Sequence, residues 1–418
     1  MTNSNEAYTQ EEQERIDAVN RYHKNERPSK ICKSLGRSRP WLQKWIGRYN
    51  SINKRSKNKW FKDESRAPKN VFNKTDSEIE QLVVNVRKSL VEGITEDTKY
   101  RCIGADEIQF RMHELGYSED AIPSLSTIKC IIKRNGLIVQ KMKRYVRCKS
   151  KKRYTLLDPT KANEVHQMDF VGPRYIKGYG RISSLNLIDV VSGKAHIQQY
   201  AGQTMDNVIE FLLGVWTNNA IPNYLQMDNS ASFIGDLIHP RHFSRVVRLC
   251  LRVGIEPVFI APGKPWMNGK IEDFNGDFKV NLWEKEQWID LGHIRREAII
   301  FLIRHNNRQD WMNRKIKMDA IPHRKLAKDF EIGANNLPIT EGKVHFIRQV
   351  KGDGTISVLN EDFDVGESLV NEYVWATIDT KQGQLMIYYR GVDEEKAEVI
   401  KIYKYDVGES IEKFKDKF

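Results

Sequence analysis

Apolar residues in the first 50 positions recur at helical spacing. Ile16 and Val19 share one side of a helix predicted over Glu12–Tyr22, and a second short helix is predicted over Ser29–Leu35. In a third helix, which begins near Arg39, the apolar positions fall at i, i+3, i+4 and i+7 and are Leu42, Trp45, Ile46 and Tyr49. Three short helices with this spacing predict a helix-turn-helix unit over residues 11–50.

Helical spacing returns over residues 75–140. Thr75 with Glu78 three positions later is typical of a capping box at a helix start. Further helices are predicted over Ala105–Leu115 and Ser126–Asn135, and a glycine that suits a helix end follows each. We interpret these residues as a second DNA-binding helical unit, similar in kind to a helix-turn-helix.

After Pro159 the pattern favours short strands that alternate with helices. This succession of strands and helices is typical of an α/β layer, here over residues 160–330. The predicted strands are Val165–Phe170, Ile182–Val191, Lys194–Tyr200, Tyr224–Met227 and Pro257–Ile260, and the predicted helices are Thr204–Asn218, Ser244–Val253 and Ile294–Arg304. From Gly342 to about Tyr405 the pattern becomes all-β, with short strands between glycine-containing turns. It predicts a small β-barrel over residues 338–405.

The net charge of +13 is unevenly placed along the chain. Residues 1–160 contain 34 Lys and Arg against 20 Asp and Glu, whereas the remaining residues contain 34 against 35. A positive excess confined to the helical part predicts a nucleic-acid footprint there. Two basic segments, residues 51–74 and 141–159, are predicted to be a linker and a connector that lie along DNA.

The outer faces of the predicted helices provide candidate DNA contacts. The third helix leaves polar and basic side chains away from its apolar face, and the last helix of the second unit is also basic. A helical scaffold without a DNA role is the alternative in each case. The candidates are Arg37, Arg39, Gln43, Lys44 and Arg48 in the first unit, and Lys129 and Lys133 in the second.

Two features bear on where the protein works. No apolar run reaches the roughly 18 residues of a membrane span, and the first residues lack the apolar segment of a secretory signal. The five cysteines are scattered and include no CxxC pair, so they predict reduced core residues and not a zinc or disulfide framework. We therefore expect a cytoplasmic protein.

Three acidic residues occupy positions typical of a site. Asp169 and Asp228 each end a predicted strand, and Glu272 lies at the start of a helix after a loop with two prolines. On that helix Glu272, Asn275 and Lys279 fall at i, i+3 and i+7, so they share a face. Because ligand sites of α/β sheets gather where strands end, these acids are better candidates than acids elsewhere.

Three carboxylates brought together repel one another unless a cation neutralises them, and Mg²⁺ or Mn²⁺ suits oxygen ligands. Two such ions would serve in-line displacement at a phosphodiester. The ordinary alternative is that these acids cap turns or helix starts, as we expect of Asp189 and Asp206. Asp273 and Asp277 compete with Glu272, which we favour because Asp273 should face away from the amide and the amine on the shared face.

The segments HQMDF, LQMDNSASF and PWMNGKIEDFNGDFK resemble, in order, the three acidic motifs of the DDE transposase and retroviral-type integrase superfamily. The likeness is greatest to bacterial insertion-sequence transposases with an integrase catalytic core. It covers most of the chain. It implies tandem helix-turn-helix units, a ribonuclease-H-like core over residues 160–330 and an SH3-like β-barrel over residues 338–405.

The resemblance implies that Asp169, Asp228 and Glu272 are catalytic and bind two Mg²⁺ or Mn²⁺ ions. It also implies DNA contacts near the site, and the candidates there are Asn229, Lys264, Asn275 and Lys279. The sequence departs from the family pattern in two ways. Asp228 and Glu272 are separated by 43 residues, more than is common in the family, and no HHCC zinc module precedes the core.

We therefore predict a polynucleotidyl transferase that cleaves and joins DNA 3′ ends. Its partners would be terminal inverted repeats and target DNA, held by a homodimer or higher homo-oligomer at the prokaryotic nucleoid. Two alternatives come from other classes. One is a catalytically silent, domesticated DNA-binding regulator, and the other is a ribonuclease-H-like nuclease that acts on RNA–DNA hybrids.

Overall fold

The structure is a computed structural model. The described residues fall into two compact units, within residues 1–74 and 75–418, and each unit is presented by itself. Much of the predicted linker and connector, namely residues 52–59, 64–74 and 141–156, lies outside the described residues. The structure describes residues 8–51, 60–63, 75–139, 157–236, 238–327, 330, 337–391 and 396–415.

Three helices form the first unit where the sequence predicts them. Thr9 and Glu12 make a reciprocal capping box at the start of the first helix, and Ser38 caps the third. The helices are α1 (Gln10–His23), α2 (Pro28–Leu35) and α3 (Arg39–Asn50). Each contributes a buried side chain to one core, and these are Ala18, Ile31 and Leu42. The predicted three-helix region is confirmed.

Residues 60–63 of the predicted linker pack on this unit. The buried Arg15 donates to the Phe61 carbonyl at 2.8 Å and pairs with the Asp63 carboxylate at 2.7 Å. Its guanidinium also lies 4.3 Å from the Trp45 ring centroid, a distance that suits a cation–π contact. Residues 60–63 of the predicted linker are therefore folded against the first unit.

Three helices begin the second unit: α4 (Ser77–Glu92), α5 (Ala105–Glu114) and α6 (Leu125–Arg134). The first is capped by Asp76 and not by Thr75, since the Asp76 carboxylate accepts from the Glu78 backbone N–H at 2.9 Å. The predicted capping box at Thr75 is therefore wrong by one residue. The apolar faces of the three helices meet in a single buried cluster.

A nine-stranded sheet dominates the second unit among the described residues. The strands of this unit are β1 (Val165–Ile176), β2 (Gly180–Asp189), β3 (Ala195–Tyr200), β4 (Tyr224–Met227), β5 (Glu256–Phe259), β6 (Ile339–Thr340), β7 (Lys343–Gln349), β8 (Thr355–Val358), β9 (Glu361–Asp364), β10 (Tyr373–Asp379), β11 (Gln384–Tyr389), β12 (Glu398–Lys404) and β13 (Ile411–Glu412). The order in the large sheet is β12-β11-β10-β7-β5-β4-β1-β2-β3. β1 to β3 are antiparallel, and β4 and β5 continue in parallel, which is compatible with the predicted α/β core.

The C-terminal strands extend this sheet, and the described residues form no closed barrel. β7 pairs in parallel with β5, and β10, β11 and β12 follow in antiparallel order. The Phe259 and Phe346 rings, both fully buried, stack with centroids 5.2 Å apart across the junction. The predicted separate barrel is wrong. The edge of β5 offers unpaired backbone groups, with which β7 pairs, and an apolar side chain, Phe259, on which Phe346 of β7 packs.

Helices cover both faces of the core sheet. On one face α7 (Met205–Asn218) and α9 (Arg245–Arg252) pack against Met168 and Leu185, and the short α8 (Ala231–Ile234) joins them. On the other face α10 (Gly269–Phe278) and α11 (Leu291–Ile316) pack against Ile182 and Ile188. α11 is much longer than the helix predicted over Ile294–Arg304. The site lies between α10 and the sheet.

Side chains of α11 also cover the edge strand β3. Arg295 donates to the Gln199 carbonyl at 2.7 Å, and Asn306 both donates to the Ala195 carbonyl and accepts from its N–H at 2.9 Å. Backbone groups at this edge that lack a strand partner are thereby satisfied.

Within the described ranges, no helix combines the length and the apolar character needed to cross a membrane. Cys250 is buried as expected of a core cysteine, but Cys130 is exposed, and Cys32 and Cys102 are partly exposed. All four are free thiols.

Candidate active site

Asp169 lies within a strand and not at its end. β1 continues to Ile176, which corrects the predicted end at Phe170. Asp169 lies opposite Asn186 of β2 and two residues beyond Gln167, the last residue of β1 paired with β4. Because Met168 points into the core beneath α7 and α9, Asp169 faces the other side of the sheet, towards α10.

Asp228 follows the last residue of β4, as predicted. One of its carboxylate oxygens accepts from the Ser230 backbone N–H at 2.9 Å, a local bond that orders the start of α8. The neighbouring Asn229 donates to the Ile260 carbonyl at 2.6 Å and accepts from the Arg348 guanidinium at 2.9 Å. A DNA contact by Asn229 would have to break these bonds.

Two glutamines hold the segment that carries Glu272. The predicted loop contains a 3₁₀ turn over Pro265–Asn268, and α10 begins at Gly269. Gln167 accepts from the backbone N–H groups of Lys270 and Ile271, both at 3.0 Å, and Gln226 donates to the Met267 carbonyl at 2.7 Å. Each glutamine stands two residues before a candidate aspartate, so the strands that carry the two aspartates also position the third acid.

Burial and like charges raise the pKa of Asp169 to about 7. Loss of solvation contributes most, and repulsion by Asp228 and then by Glu272 adds to it. The Phe170 backbone N–H and the Lys279 ammonium act in the opposite direction. The charges of Asp228 and Glu272 therefore both act on the carboxyl group of Asp169. That these three acids form the site stays a prediction.

The chemistry of these residues suits a hard divalent cation. Within the part of the chain that the structure describes, no group of three or more His, Cys, Asp or Glu side chains is spaced to hold a metal ion. The carboxylates are nevertheless the oxygen donors that Mg²⁺ and Mn²⁺ prefer. A cation near Asp169 would relieve the repulsion that raises its pKa. The donor set fits such an ion in its chemistry, although the described side chains are not gathered around one.

Asn275 is directed to Asp169 and not to solvent. It is only 2% exposed, and its side-chain nitrogen donates to Asp169 Oδ2 at 2.9 Å. Its oxygen accepts from Asn186 at 2.8 Å. The expected DNA contact does not fit this placement, because the buried Asn275 side chain points towards the sheet and is already hydrogen-bonded to Asp169 and Asn186.

The other predicted DNA contacts differ in how free they are. Lys279 is exposed beside the acids, and Lys264 lies 5.1 Å from the Trp266 ring centroid. Arg37 pairs with Glu14 at 2.8 Å, and Arg48 donates to the Lys62 carbonyl at 3.2 Å. The predicted contacts with exposed side chains on α3 and α6 are Arg39, Gln43, Lys44, Lys129 and Lys133. Their contact with DNA stays a prediction.

Several residues around the site were missed from the sequence. Asn186 is a fully buried amide inside the apolar run of β2, and this polar residue in an apolar strand was the available signal. Gln167 and Gln226 stand in the repeated Gln-Met-Asp, another signal that was overlooked. Arg348 had none, since the sequence assigned it to a separate barrel.

Two family models match parts of the chain. Residues 9–55 match a homeodomain-like domain, and residues 253–309 match an integrase core domain. The second match contains Glu272. Together the matches support an integrase or transposase. They also support DNA binding through the first unit and the polynucleotidyl transferase superfamily for the core. No curated protein matches the chain.

Solved structures with some similarity come from retroviral integrases. The HTLV-2 integrase catalytic core domain in complex with magnesium is 19% identical over 36% of this chain and 86% of that chain, with a TM-score of 0.25. The BIV integrase catalytic core domain is 19% identical over 39% and 90%, with a TM-score of 0.25. The simian T-cell lymphotropic virus intasome in complex with PP2A regulatory subunit B56 gamma is 12% identical over 72% and 99%, with a TM-score of 0.29.

Proposed function

We propose that this protein is a DDE-type transposase of the bacterial insertion-sequence kind. It would bind the ends of its own element, cleave them at the 3′ ends and join them to target DNA. The first unit and the basic part of the second would recognise the terminal inverted repeats. At least two copies would be needed to hold two ends together.

One observation carries the proposal. The Asp169 carboxyl group is repelled by Asp228 and Glu272, two acids that come from other elements far away in the sequence. Such an arrangement opposes folding when no cation is bound, because like charges near a half-buried carboxyl raise its energy. A site for divalent cations that act on a phosphodiester explains it.

Asp169, Asp228 and Glu272 would hold the cations. Bound Mg²⁺ or Mn²⁺ supplies activation of an attacking oxygen and stabilisation of a leaving oxygen. Asn275 orients the Asp169 carboxylate by donating to Oδ2. Lys279, exposed beside the acids, offers positive charge to the phosphodiester.

Strand transfer tests the proposal directly. The substrates are duplexes that carry the inverted repeats flanking the gene, with Mg²⁺ or Mn²⁺ in the buffer. Asp228→Asn and Glu272→Gln should lower product formation by about 1000-fold or more, because metal ligands contribute several kcal/mol to such reactions. Asp273→Asn, next to Glu272 and exposed, is the matched control and should behave like wild type. If Asp228→Asn and wild type show equal strand-transfer activity, the proposal that this protein is a metal-dependent transposase is refuted.

DNA recognition by the first unit has its own test. Arg39→Ala should weaken binding to end-containing duplexes and lower the slope of log affinity against log salt by about one. Arg37→Ala should change the slope less, since its guanidinium is already paired with Glu14. Fluorescence anisotropy at several salt concentrations measures both. Identical slopes for wild type and Arg39→Ala would remove this residue from the interface.

The same experiments separate the two rival functions. A wild-type protein that binds the ends and never cuts them would be a DNA-binding regulator. Cleavage of RNA–DNA hybrids without preference for the ends would indicate a nuclease.

A further inference from the structure

Four buried polar side chains form a continuous hydrogen-bonded row that ends on Asp169. We call Gln199, Ser184, Asn186 and Asn275 the polar row, and each is at most 2% exposed. Gln199 Nε2 donates to Ser184 Oγ at 3.1 Å, and Ser184 Oγ donates to Asn186 Oδ1 at 2.7 Å. Asn186 Nδ2 donates to Asn275 Oδ1 at 2.8 Å, and Asn275 Nδ2 donates to Asp169 Oδ2 at 2.9 Å.

The strand register explains how these side chains meet. Ser184 and Asn186 are two positions apart on β2 and therefore share a face. Ser184 lies opposite Gln199 of β3, and Asn186 lies opposite Asp169 of β1. The row thus crosses three strands on the face that α10 covers, and Asn275 reaches down from α10 to complete it.

The row has a direction. Every member donates towards Asp169, and Ser184, Asn186 and Asn275 each accept from the member on the side away from it. The ionised Asp169 carboxylate, the form that binds a cation, can only accept, so its partner must be the nitrogen end of Asn275. If the Asn275 amide turned over, two oxygen atoms would face each other at Asp169 and two NH₂ groups would face each other at Asn186. Because unpaired polar groups are costly inside a protein, the bonds behind Asn275 hold its amide in the orientation that serves the acid.

We propose that Asn186 and Ser184 are positioning residues that act through Asn275 to hold the Asp169 carboxylate ready for a divalent cation. The part that concerns the cation rests on the proposed function, whereas the orientation of Asn275 does not. Neither Asn186 nor Ser184 contacts Asp169 through its side chain in the described bonds, so their effect is transmitted by the row.

Metal affinity provides the first test on the full-length protein. Asn186→Leu keeps a similar shape and removes both bonds, and it should weaken Mn²⁺ binding by about tenfold or more, as measured by isothermal titration calorimetry. Ser184→Ala, one link farther away, should have a smaller effect in the same direction. Affinity for end-containing DNA without metal should stay unchanged. Thermal unfolding followed by circular dichroism verifies folding, and Ser184→Ala carries the test if Asn186→Leu does not fold.

Ser183→Ala is the matched control. Ser183 is also buried on β2, but its hydroxyl accepts from Gln203 at 3.1 Å and takes no part in the row. This variant should bind Mn²⁺ like wild type. Equal Mn²⁺ affinity of all three variants and wild type, with the fold intact, would overturn the proposed role of Asn186 and Ser184.

A second readout needs no metal. Hydrogen exchange of the Asn275 side-chain amide, followed by NMR with labelled asparagine, should be about tenfold faster in Asn186→Leu than in wild type or Ser183→Ala. If exchange is unchanged, the row does not hold Asn275 and the proposal fails. If exchange responds while wild-type protein neither binds Mn²⁺ nor joins DNA, the proposed function fails and the positioning of Asn275 stands.

Discussion

Asp169, within β1, and Asp228, just after β4, are supported in different ways. Beside Asp169 stand the neutral side chains of the polar row, which come from β2, β3 and α10. Beside Asp228, the side chain of Asn229 is held by the guanidinium of Arg348 from β7. Arg348 is buried, and among the described residues it forms no ion pair. Burial lowers its pKa to about 10, which leaves it charged at neutral pH.

The two supports differ in whether they carry a charge. A neutral row fixes the direction of a carboxylate and adds no field of its own. A buried guanidinium fixes Asn229 and places a positive charge next to the residue that follows Asp228. Because Arg348 belongs to a strand of the C-terminal region, the site depends on residues that the sequence assigned to another domain.

The largest effect should follow the loss of Arg348. It donates to Asn229, to the Ser357 carbonyl at 2.8 Å and to the Ile260 carbonyl at 3.3 Å. Arg348→Met removes the guanidinium donor from the Asn229 and Ser357 oxygens, whereas the Ile260 carbonyl keeps the Asn229 amide as a donor. Each orphaned buried group costs about 1–3 kcal/mol. We expect the free energy of unfolding of the second unit to fall by about 3 kcal/mol, as measured by urea denaturation, and strand transfer to fall with it.

Arg241→Met is the control for that experiment. Arg241 forms a bidentate pair with Glu361, but both side chains are one-third exposed. Partly exposed pairs contribute about 0–1 kcal/mol, so this variant should lose much less stability. If the two variants lose equal stability, the buried guanidinium of Arg348 stabilises the protein no more than a partly exposed one. The contrast between Arg348 and the polar row then disappears.

Acid should destabilise the protein through His166, which belongs neither to the polar row nor to the contacts of Arg348. His166 is buried at the start of β1, near His196 and opposite Asp189, and burial lowers its pKa from 6.5 to about 3. Below pH 6.5 the unfolded chain binds a proton that the folded chain does not, so stability falls with pH. The expected loss between pH 6.5 and 5 is about 2 kcal/mol from this histidine.

Urea denaturation at both pH values measures this loss. His166→Gln should reduce the pH dependence by that amount, and the remainder belongs to other groups such as His196, whose pKa burial also lowers. If strand transfer is lost at the same pH at which the protein unfolds, the loss comes from unfolding and not from the polar row or Arg348. An unchanged pH dependence in His166→Gln would show that this histidine is not buried and neutral.

The smallest effect concerns coupling between the two supports. Asn186 and Arg348 share no hydrogen-bond partner among the described bonds. Stability changes at independent sites add within about 0.5 kcal/mol. A double-mutant cycle with Asn186→Leu and Arg348→Met should therefore show a coupling energy below that value. A larger coupling would mean that the neutral and the charged support form one network.

Much of the core architecture could be predicted from residue spacing alone. The helices of the first unit and the succession of strands and helices from β1 to α11 follow directly from the apolar periodicity. The second acid is where its strand ends, as predicted, because a four-residue strand leaves little room for error. Asp169 was misplaced relative to the strand end because β1 continues past it to pair with β2, which local sequence does not reveal.

The supports of the site could not be predicted in the same way. Asn186 depends on register between β1 and β2, and Arg348 depends on β7 joining the edge of β5. Both are long-range pairings, fixed by which edges and apolar faces remain open once the core has formed. The resemblance assigned Asn275 to DNA, and its spacing along the helix correctly placed it on the face of Glu272. Spacing along a helix does not tell which side another strand will cover.

The cover of β3 by α11 has a practical consequence for anyone who shortens this protein. The integrase core match stops at residue 309, inside α11 and before Asn313, which donates to the Ser192 carbonyl at 2.9 Å. A fragment cut there ends partway along a helix of about 39 Å. A cut before Leu291 would leave the backbone of β3 open to another chain. Similarity boundaries are therefore poor guides for cloning, and a well-behaved fragment must keep the whole helix.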